Sequence, residues 1–158
     1  MDKISWCCLQ KDGIKLIEPN EIVGKKYLED ADSDFIDMKK SSLKWKNIVG
    51  YYACYNAFYA ILQKIGIKCE IHDCTIELLK FIIQDLNKWI SDEEMLFFQE
   101  TKKIRIDVQY YLKTPVEIDE KLVGGFILSC RNAHNNLSYD LIQSIRKKVG
   151  ELIKGSEI

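Results

Sequence analysis

The chain has 158 residues, which by size is one domain. Its 47% hydrophobic and 30% charged composition is ordinary for a soluble globular protein. A formal net charge of −1 excludes binding of polyanions by bulk charge, so any nucleic-acid site must be a local patch.

No apolar run approaches a membrane span, and MDKISWCCLQKDG lacks the apolar centre of a signal peptide. The expectation is a cytoplasmic protein without membrane association, whose six cysteines are reduced. Cys54 and Cys130 fall on apolar helical faces and read as small core residues. Cys69, His72 and Cys74 cluster, with Cys7 and Cys8 as remote completions of a metal site. Adjacent cysteines suit zinc poorly, so packing is preferred to a metal, and neither metal nor cofactor is expected.

Residues 1–18 read as a short irregular arm anchored by Trp6, Leu16 and Ile17, and residues 19–158 as a single helical domain. The first predicted helix runs from about Asn20 to Ser41. Its stripe is Gly24, Leu28, Ala31, Phe35 and Met38, spaced four and three apart. Glu29, Asp30, Asp32, Asp34 and Asp37 form its solvated acidic face. The second, about Leu43 to Ile65, is apolar nearly all round and stops at Gly66, so it is buried. Ile48, Tyr52, Tyr55, Tyr59 and Leu62 make one stripe, Tyr51, Cys54, Phe58, Ile61 and Ile65 the next. Asn56, among aromatics, needs partners that tyrosine hydroxyls could supply.

The third helix is predicted to start near Asp73 as N-cap and to carry Ile76, Leu79, Ile83, Leu86 and Ile90. The fourth opens on the capping box Ser91-Asp-Glu-Glu94, with Phe97, Thr101, Ile104, Val108 and Tyr111 as its core stripe. The fifth is predicted to open at Thr114-Pro115-Val-Glu117 and to break at Gly124-Gly125 or Asn135-Asn136. The fold class is therefore all-α, an up-and-down bundle of about five helices.

Arg105 lies just off the fourth helix's stripe. At about 100° per residue Gln109 shares its face, while Tyr110 points about 140° away. Arg105 and Tyr110 can cooperate if the helix unwinds near residue 110, or across a two-fold axis. Otherwise Arg105 pairs with Asp107 or Glu100 and Tyr110 packs. Lys102 and Lys103 make the basic patch beside it. Lys102, Lys103, Asp107 and Gln109 are the candidate binding residues around Arg105 and Tyr110. A second candidate pair is Arg131 and His134, on the stripe Val123, Ile127, Cys130, His134, Leu137, Leu141. A lone histidine there is more often a packed residue. His72 reads as a turn residue with a local hydrogen bond. Arg146, Lys147 and Lys148 read as the solvated end of the last helix.

The Tyr51-Tyr52-Ala-Cys-Tyr55 helix, the Gly66 to His72 turn, and Arg105 followed five residues later by Tyr110 resemble the HEPN family of helical domains, over about residues 20–150. The resemblance implies a dimer cleft formed by an Arg and, a few residues on, a His, with metal-independent RNA cleavage in the cleaving members. It implies Arg105 as phosphate contact and position 110 as the acid–base group. The partners it implies are a second copy of the chain, RNA or a nucleotide, and a minimal nucleotidyltransferase acting as antitoxin. Tyrosine at 110 departs from that pattern. Imidazole accepts a proton near neutrality, whereas an ordinary phenol titrates near pH 10. The motif as written favours binding over cleavage.

Overall fold

The computed structural model describes residues 1–158. Seven helices and one two-stranded sheet form, rather than five helices and an arm. They are α1 (Lys3–Leu9), β1 (Lys15–Leu16), α2 (Glu21–Lys40), α3 (Leu43–Ile65), β2 (Ile67–Lys68), α4 (His72–Leu86), α5 (Asp92–Gln109), α6 (Glu120–Asn136) and α7 (Tyr139–Ser156). No helix is long and apolar enough to cross a membrane.

The arm is a helix because Asp2 caps it, accepting from the Ser5 amide at 2.9 Å. Its anchors are Cys7, Cys8 and Ile14, all buried, while Trp6 is 44% exposed. β1 then pairs antiparallel with β2, Lys15 opposite Lys68 and Leu16 opposite Ile67. Cys7 is disulfide-bonded to Cys74, with the two Cα atoms 5.6 Å apart. The expectation that the cysteines are reduced is corrected here, because α1 lies against α4 and brings together thiols 67 residues apart. Cys74 is thereby removed from any Cys69/His72/Cys74 metal set, and Cys69 is buried.

α2 follows the predicted bounds, with the Asn20 side chain accepting from the Val23 amide. α3 is the central helix, and fourteen of its residues are buried. It ends where Gly66 adopts φ 90°, a left-handed cap that glycine tolerates without steric cost. Asn56 takes the α2 carboxylate of Asp34 at 2.8 Å, not a tyrosine hydroxyl. α4 begins one residue before Asp73, on Ile71, with no side-chain cap. α5 keeps both halves of its capping box.

The predicted start of the next helix at Thr114-Pro115 is not formed. Residues 112–119 form neither helix nor strand, and Asp119 caps α6 instead. Asn47, fully buried on α3, holds this segment by two bonds, donating to the Val116 carbonyl and accepting from its amide. That pairing takes the Val116 carbonyl, which a helix starting at Thr114 would need for the amide of residue 120. The chain breaks after Asn136, the second of the two predicted positions, and Gly124 lies inside α6 close against Phe35. Arg146 is no solvated end. Its guanidinium donates to the carbonyls of Ile17, Ile65 and Gly66. Lys148 reaches the Phe81 carbonyl and Asp85.

Candidate anion site around Arg105

The buried line of α5 is Phe98, Thr101, Arg105 and Val108. Phe97 and Ile104 are only half-buried and Tyr111 is 70% exposed. The stripe is thus rotated from the predicted one, and Arg105 sits on the buried face rather than beside it. Only 7% of Arg105 is exposed.

Three tyrosine rings surround its guanidinium. The carbon lies 5.1 Å from the Tyr52 ring centre and 5.3 Å from those of Tyr51 and Tyr110. Nε donates to the Gln109 side chain at 3.0 Å, and Nη2 to the Tyr110 hydroxyl at 3.2 Å. Arg105 and Tyr110 therefore meet within one chain. They do so because α5 stops at Gln109, and Tyr110 leaves it as the cap residue. The chain then wraps tightly, with the Lys113 amide on the Asp107 carbonyl and Leu112 at φ 54°. A left-handed leucine is a strained backbone, and it leaves Tyr110, Tyr111 and Leu112 exposed together at the surface.

Arg105 has no carboxylate partner. Asp107 pairs with Lys113 at 3.6 Å, and Glu100 pairs with nothing. Buried charges are ordinarily paired, so a guanidinium left with neutral partners is electrostatically incomplete. Nη1 has no acceptor in the protein and is not sealed from solvent. Arg105 lines a pocket of about 290 Å³ together with Ile71, His72, Asp73, Lys102, Ile106, Tyr110 and Tyr111.

His72 is the residue that sequence reasoning passed over. It is the first residue of α4, stacked on Tyr55 with ring centres 4.3 Å apart. Its Nδ1 lies 2.6 Å from the Tyr51 hydroxyl. Burial, then the charges of Arg105 and Lys102, hold its pKa below the usual imidazole value. Burial also raises the Tyr51 phenol well above its ordinary range. Lys102 bonds Asp73, whose carboxyl it draws below the usual carboxylate value, and Lys3 lies 3.8 Å from the same group. Lys103 is exposed, in the adjoining groove rather than in the pocket.

The other candidate pair is elsewhere. His134 is fully buried, and Gly24 of α2 approaches it so closely that a Cβ there would stand 2.7 Å from Nε2. That Nε2 has no hydrogen-bond partner, and burial lowers the ring's pKa. Arg131 is bonded to Asp32 at 2.6 Å. Neither residue lines the Arg105 pocket.

No protein-family model matches the chain, and no curated protein matches it. The arrangement itself can do two things. It can hold an anion at Arg105, and it places one imidazole beside that anion.

Proposed function

We propose that this chain is a HEPN-like helical protein that binds RNA or nucleotides through phosphate at Arg105, without cleaving them efficiently. The observation that carries this reading is a charged guanidinium, almost wholly buried, in the wall of a pocket, with no carboxylate partner and no protein acceptor for Nη1. A phosphate oxygen supplies both the missing charge and the missing acceptor. Tyr110 occupies the place where the resemblance asks for a base, and in this arrangement its hydroxyl accepts from Arg105. The resemblance further suggests a homodimer in which two Arg105 pockets share a cleft, and a minimal nucleotidyltransferase as protein partner in a toxin–antitoxin pair.

A metal-independent ribonuclease is the second reading, and His72 is the observation that favours it, since it supplies an imidazole at the pocket wall. One experiment separates the two. A single-stranded RNA is incubated in EDTA with the natural chain and with Tyr110→His, and its binding to the natural chain and to Arg105→Gln is measured alongside. The expected result is binding lost with Arg105→Gln, no cleavage by the natural chain, and cleavage gained with Tyr110→His. General acid–base assistance is worth about 10² to 10⁴ in rate, so the gain is easily seen. Robust cleavage by the natural chain that disappears in His72→Leu establishes the ribonuclease reading instead. Light scattering reports whether the chain is dimeric.

A further inference from the structure

The start of α4 lines the same pocket as Arg105. Ile71 gives no side-chain cap, and the amides of His72, Asp73 and Cys74 have no acceptor in the protein. The first turn of a helix with free amides attracts anions. Its own carboxylate, Asp73, is already answered by Lys102 and Lys3, so the charge of Arg105 is left over.

The proton on His72 can be placed from its neighbours. Tyr51 is fully buried and has one polar partner, His72 Nδ1. A buried O–H needs an acceptor, so Tyr51 donates to Nδ1. In the neutral ring the proton is then on Nε2, which has no protein partner and is not sealed from solvent. His72 thus offers the pocket an N–H donor and no lone pair. A neutral histidine wired this way is a hydrogen-bond donor, not a base.

Lys102 also lines a groove of about 590 Å³ that carries Glu77, Glu100 and Asp107 beside Lys3 and Lys103, with Glu77 paired to Lys80 and Asp107 to Lys113. A groove of mixed and mostly paired charge offers no basic track for a phosphate chain that continues along it. Tyr111 and the outer part of Tyr110, both exposed, offer aromatic surface on which a base can stack.

We infer that His72 Nε2 and the open first turn of α4 form the second half of an anion clamp facing Arg105, and that the clamp takes a terminal phosphate monoester. The ligand class is a nucleoside monophosphate or a 5′-phosphorylated end, whose one phosphate the clamp holds between α4 and α5. The inference rests on Arg105 as the phosphate contact and adds the partner half and the ligand class.

The test uses the whole chain and four probes: AMP, adenosine, and a short single-stranded RNA with and without a 5′-phosphate. Long-range ¹H–¹⁵N spectra of the imidazoles report the tautomer directly, with Nε2 protonated and Nδ1 bare as the expected result. AMP should shift the amides of residues 72–74, and adenosine should not. His72→Leu should weaken AMP binding about tenfold, the size of one charge-assisted hydrogen bond. His72→Gln, which keeps a donor near the Nε2 position, should recover most of that loss. Removing the 5′-phosphate from the RNA should weaken its binding by at least as much. If AMP and phosphorylated RNA both bind, the clamp reads the phosphate alone; if only AMP binds, the clamp takes the free nucleotide and the groove does not admit the chain. A protonated Nδ1, amides 72–74 that stay still, or RNA that binds equally without its phosphate overturns the clamp. If Arg105→Gln abolishes binding while these tests fail, the proposed function stands and the clamp falls. If Arg105→Gln has no effect, both fall.

Discussion

Replacing Arg105 by methionine should leave the fold about as stable as before while removing phosphate binding. Methionine fills the same channel between Tyr51, Tyr52 and Tyr110 without a charge. The substitution forfeits three ring contacts at about 0.5–1 kcal/mol each and two hydrogen bonds at about 1 kcal/mol each. Both lost bonds go to groups near the surface: Gln109 is half-buried and Tyr110 is 63% exposed. Water replaces the guanidinium on each, so no buried orphan is left behind. In return the fold no longer holds a desolvated cation without a counter-charge, which costs several kcal/mol. The thioether chain also keeps most of the apolar contact. The net change is within about 2 kcal/mol of zero, a shift of under about 8 °C in thermal midpoint for a chain of this size. The assay is a thermal melt followed by circular dichroism, paired with calorimetric titration of AMP into the same samples. A midpoint that falls by more than about 12 °C with AMP binding unchanged would refute the reasoning, because Arg105 would then be a structural brace.

Three further outcomes follow from particular contacts. Opening the Cys7–Cys74 bridge releases a loop spanning 67 positions, worth roughly 4 kcal/mol of chain entropy in the unfolded state. A melt in reducing buffer, or of Cys7→Ser, should therefore fall by about 10 °C. Both histidines are held below the usual imidazole range, chiefly by burial. The folded chain thus refuses protons that the unfolded chain accepts. Their contribution to stability is full above about pH 6.5 and declines as pH falls below it. Urea midpoints at pH 7.5 and 5.5 should show the decline, and the double variant His72→Asn/His134→Asn should flatten it. Gly24→Ala puts a Cβ 2.7 Å from His134 Nε2 and 2.9 Å from the Ala60 carbonyl, with backbone on one side. It should cost about 1–3 kcal/mol by overpacking, read as a lower urea midpoint at unchanged slope.

The all-helical architecture was legible because α2 and α3 carry long stripes closed by signals with a local mechanism, Asn20 at one start and Gly66 at one end. Ser91 and Glu94 cap α5 by the same local logic. Thr114 to Glu117 carries an equally good local signal and forms no helix, since buried Asn47, far away in sequence, claims the backbone of Val116. The position of Arg105 was misread by one step around α5. A periodicity argument assigns charge to the outside, and Phe97 and Phe98 offer two registers of nearly equal quality. Only the rings of Tyr51 and Tyr52 on α3 settle that Arg105 turns inward. His72 escaped notice for a similar reason: its role depends on Tyr51, 21 residues earlier, and on Arg105, neither of which is adjacent to it in sequence. The Cys7–Cys74 bridge joins the two furthest-separated members of the cysteine set considered for metal, and spacing alone gives no hint of it.

The three carbonyls held by Arg146 come from the approach to α2, from the last residue of α3 and from its glycine cap. Their donor comes 80 to 129 residues later in the chain. During synthesis these segments leave the ribosome well before residue 146 does. Until α7 emerges, the end of α3 and the β1–β2 pair lack their tie, and the apolar faces of α1 and α3 that α7 covers stay open to chaperones and proteases. Closure of these contacts therefore waits for α7 to be made.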